Sequence, residues 1–169
     1  MREGLVTANK SAEAALKNAQ AVINAERAWV FCTAKQIGNE SCQLSLRNHG
    51  RTPAYVISVR ELEKVVPPTT KLESTPDYGL PTQFVSERVL SPGDAWEADD
   101  WRTNLSEVLP GEMLEEVRSG RLRYYLYGVI EYRDVLPGSQ LHETRFCYFY
   151  STIQQQFIVG GPSDYTKCT

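Results

Sequence analysis

Alternating apolar and polar positions are most regular in residues 122–151. Successive side chains of a strand face opposite sides, so the even-numbered residues of the first half predict a core-facing strand surface. Those residues are Leu122, Tyr124, Leu126, Gly128, Ile130 and Tyr132. A polar loop over residues 134–142 contains Pro137-Gly138, a strong turn signal. The stretch therefore predicts a β-hairpin around which the remaining strands assemble.

Charged residues predict the register of this hairpin. Two opposite-charge pairs form if the strands are aligned so that each acid faces an arginine, and a large ring then covers the strand glycine. The predicted pairs are Arg133–Glu143, Glu131–Arg145, Ile130–Phe146 and Gly128–Tyr148. The opposite face of the hairpin also carries apolar residues, namely Tyr127, Val129, Cys147 and Phe149. We therefore expect another part of the chain to cover that face.

Residues 5 to 27 predict a helix, because alanine is abundant and this segment contains neither glycine nor proline. Small apolar residues repeat at the a and d positions of about three heptads. They are Leu5, Ala8, Ala12, Ala15, Ala19 and Val22, and Trp29 continues the spacing. A seam rich in alanine buries little area and predicts only weak self-association. Two interpretations are open: a helix that lies on its own domain, and a stalk that joins the domain to something upstream.

From Ala28 onward the periodicity changes to two residues, which predicts strands. The predicted strands are 29–35, 42–47, 54–65, 83–90 and 95–101, with 152–159 continuing or following the hairpin. In the third strand Tyr55, Ile57 and Val59 are expected to face inward, and the charged residues 60–64 to project or lie at an edge. Residues 67–81 predict an extended proline-rich loop, and residues 111–119 a short helix closed by Gly120.

About seven strands with hairpin-like connections predict an antiparallel β-sandwich, because each alternating strand has one face to bury. The predicted organisation is a helical connector over residues 1–27, a β-sandwich domain over 28–159 and a C-terminal tail over 160–169. A chain of 169 residues is long enough to build one such core.

Composition narrows the function classes. A net charge of −3 gives no basic surface for nucleic acid, and no apolar run approaches the ~20 residues of a membrane span. Residues 1–5 are followed by a polar, alanine-rich segment, which is unlike a signal peptide. Cys32, Cys42, Cys147 and Cys168 have no metal-ligand spacing, so free, buried thiols are expected.

Candidate chemical groups are few. Asp134, Ser139 and His142 are the residue types of a hydrolytic triad, but they lie in one loop, whereas triads draw on separate parts of a fold. His49 and His142 with Asp134 or Glu143 are weak metal candidates, and solvated histidines are the expected state. The acids of residues 94–100 lack a calcium-loop pattern and predict an acidic surface. We expect no catalytic residue, metal or cofactor.

A binding surface is the remaining kind of site. Tyrosine is a preferred contact residue in interfaces, and the turn after the second strand is a candidate binding loop, although a plain turn is the simpler interpretation. The candidate residues are Asn48, His49, Arg51, Tyr125, Tyr127 and Phe149.

Five short motifs occur together: residues 26–30 (ERAWV), 46–54 (LRNHGRTPA), 90–93 (LSPG), 128–134 (GVIEYRD) and 142–147 (HETRFC). With them the chain resembles, from about residue 12 to 150, the soluble domain of small uncharacterised bacterial and phage proteins. In that family a membrane helix and an alanine-rich helix precede an immunoglobulin-like β-domain, and no activity is assigned. The resemblance implies an immunoglobulin-like sandwich attached to a membrane through a segment upstream of Met1.

The sequence therefore predicts a non-catalytic interaction or structural domain, the soluble part of a small membrane-attached bacterial protein. A protein partner or weak self-association through the N-terminal helix is expected, and no nucleic acid. The alternative is a small-ligand-binding or enzymatic domain whose site only folding reveals; a deep apolar pocket with converging polar groups would favour it.

Overall fold

The structure is a computed structural model that describes residues 2–79, 82–98, 101–135 and 139–169, with the side chains of 2–8 and 82–87 left aside. Its helices are α1 (Arg2–Glu26), α2 (Leu105–Val108) and α3 (Gly111–Arg118), and a 3₁₀ turn covers Ser163–Tyr165. Its strands are β1 (Val30–Gly38), β2 (Ser41–Asn48), β3 (Ala54–Val66), β4 (Thr82–Leu90), β5 (Ala95–Trp96), β6 (Arg102–Asn104), β7 (Arg123–Asp134), β8 (Leu141–Ser151) and β9 (Gln156–Val159).

The strands form two antiparallel sheets. In the smaller sheet β2 pairs with β1 on one side and with β5 and β6 on the other. In the larger sheet the order is β4-β3-β7-β8-β9. The two sheets form a sandwich-like arrangement preceded by a helix, so the predicted fold class is confirmed. Of the predicted strand over 95–101, the described residues form a strand only at Ala95–Trp96 (β5); residues 99–100 lie outside the described part, and β6 begins just beyond the predicted range at Arg102.

The core lies between the facing sides of the two sheets. From β7 it takes the even-numbered residues that the sequence predicts, with Tyr124, Leu126, Ile130 and Tyr132 all completely buried. From β2 it takes the alternate residues Cys42, Leu44 and Leu46. Alternation therefore identifies the core face of both strands correctly, because successive side chains of a strand point to opposite sides.

The predicted register of the hairpin is wrong by two residues. In the structure Arg133 faces Leu141, Glu131 faces Glu143 and Gly128 faces Phe146. Glu131 finds its positive partner on the other side, because Arg60 of β3 donates to it at 2.9 Å. Arg145 pairs instead with Glu143 of its own strand. A ring does cover the backbone of Gly128, but it is that of Phe146.

The inward residues of β3 also differ from the prediction. Ala54 and Val56 are completely buried, whereas Tyr55 and Ile57 are only partly buried. The pairing of β3 with both neighbours shifts between Val56 and Ser58. One extra residue reverses the alternation, so that Val59 faces the core as predicted. Beyond Val59 the strand pairs with β7 but not with the described part of β4, which agrees with an edge position for its charged half.

The outer face of β7 and β8 is covered, as expected, but by segments that the sequence does not single out. Tyr127 and Cys147 of that face pack against Leu72 and Tyr78 of the proline-rich loop and against Tyr165. Tyr165 is 2% exposed and sits in the 3₁₀ turn of the predicted tail. Residues 160–169 are therefore packed on the larger sheet, and Thr169 reaches Glu143 of β8.

Side chains join the two sheets where β1 lies beside β8 and β9. The hydroxyl of Tyr148 donates to the backbone carbonyl of Cys32 at 2.8 Å, in a buried position. The side chain of Gln36 accepts from the backbone N–H of Phe157 at 3.2 Å. These two bonds satisfy backbone groups that belong to different sheets and hold β1 to the larger sheet.

Candidate interaction surface

The helix α1 is exposed over its whole described length. Every side chain from residue 9 to residue 26 is exposed to solvent, including Leu16 (71%), Val22 (61%) and Ile23 (50%). The interpretation in which this helix lies on its own domain and covers the outer face of the hairpin is therefore wrong. A helix normally gains most of its stability from burying an apolar face, and residues 9–26 of α1 bury none against the sandwich.

The C-terminal end of α1 is fixed to the sandwich. Glu26 pairs with Arg51 at 2.9 Å, and the indole N–H of Trp29 donates to the carbonyl of Asn24 at 3.1 Å. The guanidinium of Arg27 lies 3.5 Å from the centre of the Trp29 ring, within the range of a cation–π contact. These contacts attach the last turn of α1 to the turn after β2 and to the residues that lead into β1.

A group of three polar side chains lies directly below this end, and we call it the polar junction: Arg27 and Asp134, which are buried, and His142, which is partly buried. Oδ1 of Asp134 accepts the backbone N–H of Ala28 at 2.6 Å, and Oδ2 lies 3.0 Å from Nε2 of His142. The guanidinium of Arg27 reaches Nδ1 of His142 at 3.4 Å and the carbonyl of Thr169 at 2.8 Å. The junction thus joins the start of β1, the ends of the hairpin strands and the last residue described.

The geometry of the polar junction indicates which ring nitrogen of His142 carries the hydrogen. Arginine has only donors, so Nδ1 of His142 acts as the acceptor and Nε2–H donates to Asp134. Ser139 donates its hydroxyl to the backbone carbonyl of Asp134 at 2.8 Å rather than to the imidazole. The three residue types of a triad are therefore close together, but both ring nitrogens face other partners, and the arrangement lacks the nucleophile–base hydrogen bond.

Asn48 of the candidate binding loop is completely buried and holds the turn together. Its Oδ1 accepts the backbone N–H groups of Trp29 and Gly50 at 3.2 and 2.9 Å. Its Nδ2 donates to the carbonyls of Thr52 and Leu90 at 2.8 and 3.0 Å. All four hydrogen bonds of the amide are made within the fold, so Asn48 stabilises the turn and offers no free amide group for binding. Its neighbours His49 and Arg51 are exposed.

An aromatic row that the sequence did not single out lies beside that turn. The rings of Trp29 and Phe31 are stacked at 6.4 Å, and His49 meets Phe31 edge-on at 5.6 Å. Phe31 is 37% exposed on the outward side of β1. The spacing of Trp29 and Phe31 by two residues is the signal that places them on one strand face. The row borders the base of α1, since Trp29 also contacts the last turn of the helix.

The other candidate surface residues lie elsewhere. Tyr125 and Tyr127 are each 7% exposed, because the proline-rich loop and Tyr165 pack over them. Phe149 is partly buried, with the guanidinium of Arg123 5.0 Å from its ring centre. These tyrosines contribute packing area to the sheet and little accessible surface.

Two open depressions flank this covered face. One, of about 400 Å³, is lined by Lys64, Glu73, Tyr127 and Tyr165 among others, and the ammonium of Lys64 already pairs with Glu73 at 3.0 Å. Hydrogen bonding to Glu73 raises the pKa of Lys64. The other, of about 470 Å³, lies between residues 68–74 and Pro162.

The described residues contain no group of three histidine, cysteine, aspartate or glutamate side chains able to hold a metal ion. Asp94 of the acidic stretch accepts the backbone N–H of Ser91 and closes a turn, while Asp99 and Asp100 lie outside the described residues. All four cysteines are free, and Cys32, Cys42 and Cys147 are buried, as predicted. Burial raises the pKa of the Cys147 thiol to about 12.

Comparison with models of protein families, with curated proteins and with solved structures finds no significant match for this chain. The fold alone defines its class, a mainly β protein of two antiparallel sheets with an N-terminal helix. Among the helices that the structure describes, none has both the length and the apolar character required to cross a membrane.

Proposed function

We propose that this chain is a non-catalytic interaction domain, in which the sandwich carries α1 as a connector to a partner. The observation that supports the proposal is the exposure of every described side chain of α1, together with an apolar stripe along it. A stripe containing Leu16, Val22 and Ile23 is stabilised when another surface removes it from water, at about 25 cal/mol per Å² of apolar area.

The attachment of the helix supports a connecting role. Ion pairing, the stacking of Arg27 on Trp29 and the polar junction all act on the last turn of α1 and the first residues of β1. A force or a binding event on the helix is therefore transmitted to the hairpin end of the sandwich. By contrast, the hydrophobic core contains no described residue of α1.

We further propose that the sandwich is immunoglobulin-like and that the protein is attached to a membrane. Both proposals rest on the resemblance of the five sequence motifs. Attachment requires an apolar segment before Met1, joined to the sandwich through α1. Two experiments test this part: sequencing the coding region upstream of Met1, and fractionating cells that express the full-length natural protein. Recovery of the full-length natural protein in the soluble fraction would exclude membrane attachment.

Deletion of residues 1–20 tests the connector role. The melting temperature of the shortened chain should stay within about 2 °C of the parent, because the deleted side chains that the structure describes, from residue 9 onward, are all exposed. Tyr165→Ala is the matched destabilising control, since it removes a buried ring at a cost of about 3 kcal/mol, or roughly 6–12 °C. A drop of about 10 °C on deleting the helix would show that α1 belongs to the folded core and would refute the proposal.

A further inference from the structure

We infer that the partner of α1 is a second copy of this chain, paired helix to helix through the heptad seam. The inference rests on the proposed function, because it takes α1 to be free to bind. The seam consists of Leu5, Ala8, Ala12, Ala15, Ala19 and Val22. From residue 9 onward each of these side chains is exposed, and Leu16 and Ile23 widen the stripe on one side.

Charge is sorted around the helix as pairing requires. In the heptad that places the seam at a and d, Lys10 and Lys17 fall at f, directly opposite the seam, and Glu13 falls at b. The flanking e and g positions between residues 5 and 25 carry no charge at all; they are Asn9, Ser11, Leu16, Asn18, Ile23 and Ala25. Over residues 5–25, two copies of this face therefore meet without like-charge repulsion, and Glu26 at the next a position is paired with Arg51 of its own chain.

The same flanks indicate why the partner is an identical chain. Charged residues at e and g normally select one partner sequence over another, and their absence leaves no group that rejects a second copy. Alanine at successive a and d positions presents a smooth, narrow surface that is complementary to itself, because small residues oppose small residues. A different partner with bulky seam residues would be held away from this surface.

The size of the interface sets the strength of pairing. A helix of 25 residues is about 37 Å long, and a contact strip about 10 Å wide removes roughly 370 Å² from each copy. The total of roughly 740 Å² is below the 1,200 Å² at which stable interfaces begin, so the dimer is weak and depends on concentration. Tethering of both copies to one assembly raises their effective concentration and favours the pair.

Sedimentation equilibrium of the full chain, from about 10 µM to about 1 mM, tests the inference over the range of a weak interface. The average mass should rise from monomer towards dimer with concentration. Ala15→Glu places a charge in the seam and should weaken association at least about tenfold, whereas the matched control Ala14→Glu lies at the outward c position and should leave it unchanged. A wild-type chain that stays monomeric throughout, or equal effects of the two variants, would overturn the inference.

A pair of gain-of-association variants provides a second arm that does not depend on disrupting the helix. Ala12→Leu with Ala19→Leu enlarges two a positions and should strengthen pairing at least about tenfold, while Ala14→Leu with Ala21→Leu alters the c positions and should not. Equal strengthening by both pairs would contradict pairing through the seam. Failure here is distinct from failure of the connector role, which the melting temperature of the deleted chain reports.

Discussion

The carboxylate of Asp134 accepts the backbone N–H of Ala28 at 2.6 Å, although 106 residues separate the two in the chain. The other carboxylate oxygen receives the imidazole of His142 at 3.0 Å. One buried side chain therefore joins the first residues after the helix to both strands of the central hairpin, at the end where its loop lies.

Loss of this carboxylate should destabilise the fold strongly. Asp134→Ala leaves a buried amide and a buried imidazole N–H without an acceptor, and we expect a cost of about 3–5 kcal/mol in the free energy of unfolding. Urea denaturation measures the change, and Asp164→Ala, at an exposed aspartate, is the control that should lie within about 0.5 kcal/mol of the parent. A cost below about 1 kcal/mol for Asp134→Ala would show that the polar junction is not a determinant of stability.

Gly128 should tolerate no side chain. A Cβ at this position would overlap the carbonyl oxygen of Arg60 and the ring of Phe146, in the centre of the larger sheet. Gly128→Ala should therefore cost at least about 2 kcal/mol through overpacking. Gly111→Ala is the matched control, because a Cβ there meets no atom within 4 Å. Comparable urea midpoints for the two variants would contradict the close approach of β3 and β7.

A charge swap should identify the partner of Glu131. Arg60 donates to this carboxylate at 2.9 Å and Ser58 binds its other oxygen. We expect Glu131→Arg alone to cost about 1–2 kcal/mol, since it places two arginines side by side in a partly buried site. Adding Arg60→Glu should restore at least half of the loss, whereas adding Arg145→Glu should restore none. Rescue by the second combination alone would favour the register predicted from the hairpin charges.

The ion pair of Glu40 with Arg118 should make stability depend on acid pH. Arg118 binds both carboxylate oxygens, at 2.7 and 2.9 Å, and lowers the pKa of Glu40. A carboxyl group whose pKa is lower in the folded state adds stability above its unfolded pKa and loses it as pH falls through the folded value. Urea titrations at neutral pH and near pH 3 should show a larger loss in the parent than in Glu40→Gln. Glu112→Gln, at an exposed site, is the control, and equal losses in all three chains would contradict this linkage.

The sequence predicts the core faces well and the partners of charged groups poorly. Alternation in residues 122–133 reports burial directly, because it depends only on neighbours two residues apart. The register depends on which strand lies on each side, and Glu131 pairs with Arg60, 71 residues earlier in the chain. No local pattern contains that information. The bulge between Val56 and Ser58 is likewise fixed by β7 and β4 rather than by its own residues.

The candidate surface also combines features that a local sequence pattern predicts with features that depend on distant parts of the chain. The heptad seam allows two interpretations from sequence, a helix packed on its own domain and a free stalk. The packing of Tyr165 and Leu72 over the hairpin shows that the outer face is already covered without the helix. Asn48 is a typical turn residue, yet the partners of its buried amide come from distant parts of the chain: Trp29, just before β1, and Leu90, at the end of β4. The two-residue spacing of Trp29 and Phe31 places both rings on one face, but the spacing alone does not show that this face points outward.

The bond between the hydroxyl of Tyr148 and the carbonyl of Cys32 has a consequence for solubility. β1 is the last strand of its sheet, and a strand in that position ordinarily offers unpaired backbone groups on which another chain can extend the sheet. Tyr148 of the larger sheet already donates to the carbonyl of Cys32, so a passing strand finds no free acceptor at that position. A side chain that joins the two sheets thus also blocks one backbone position at which β1 could be extended into a larger sheet.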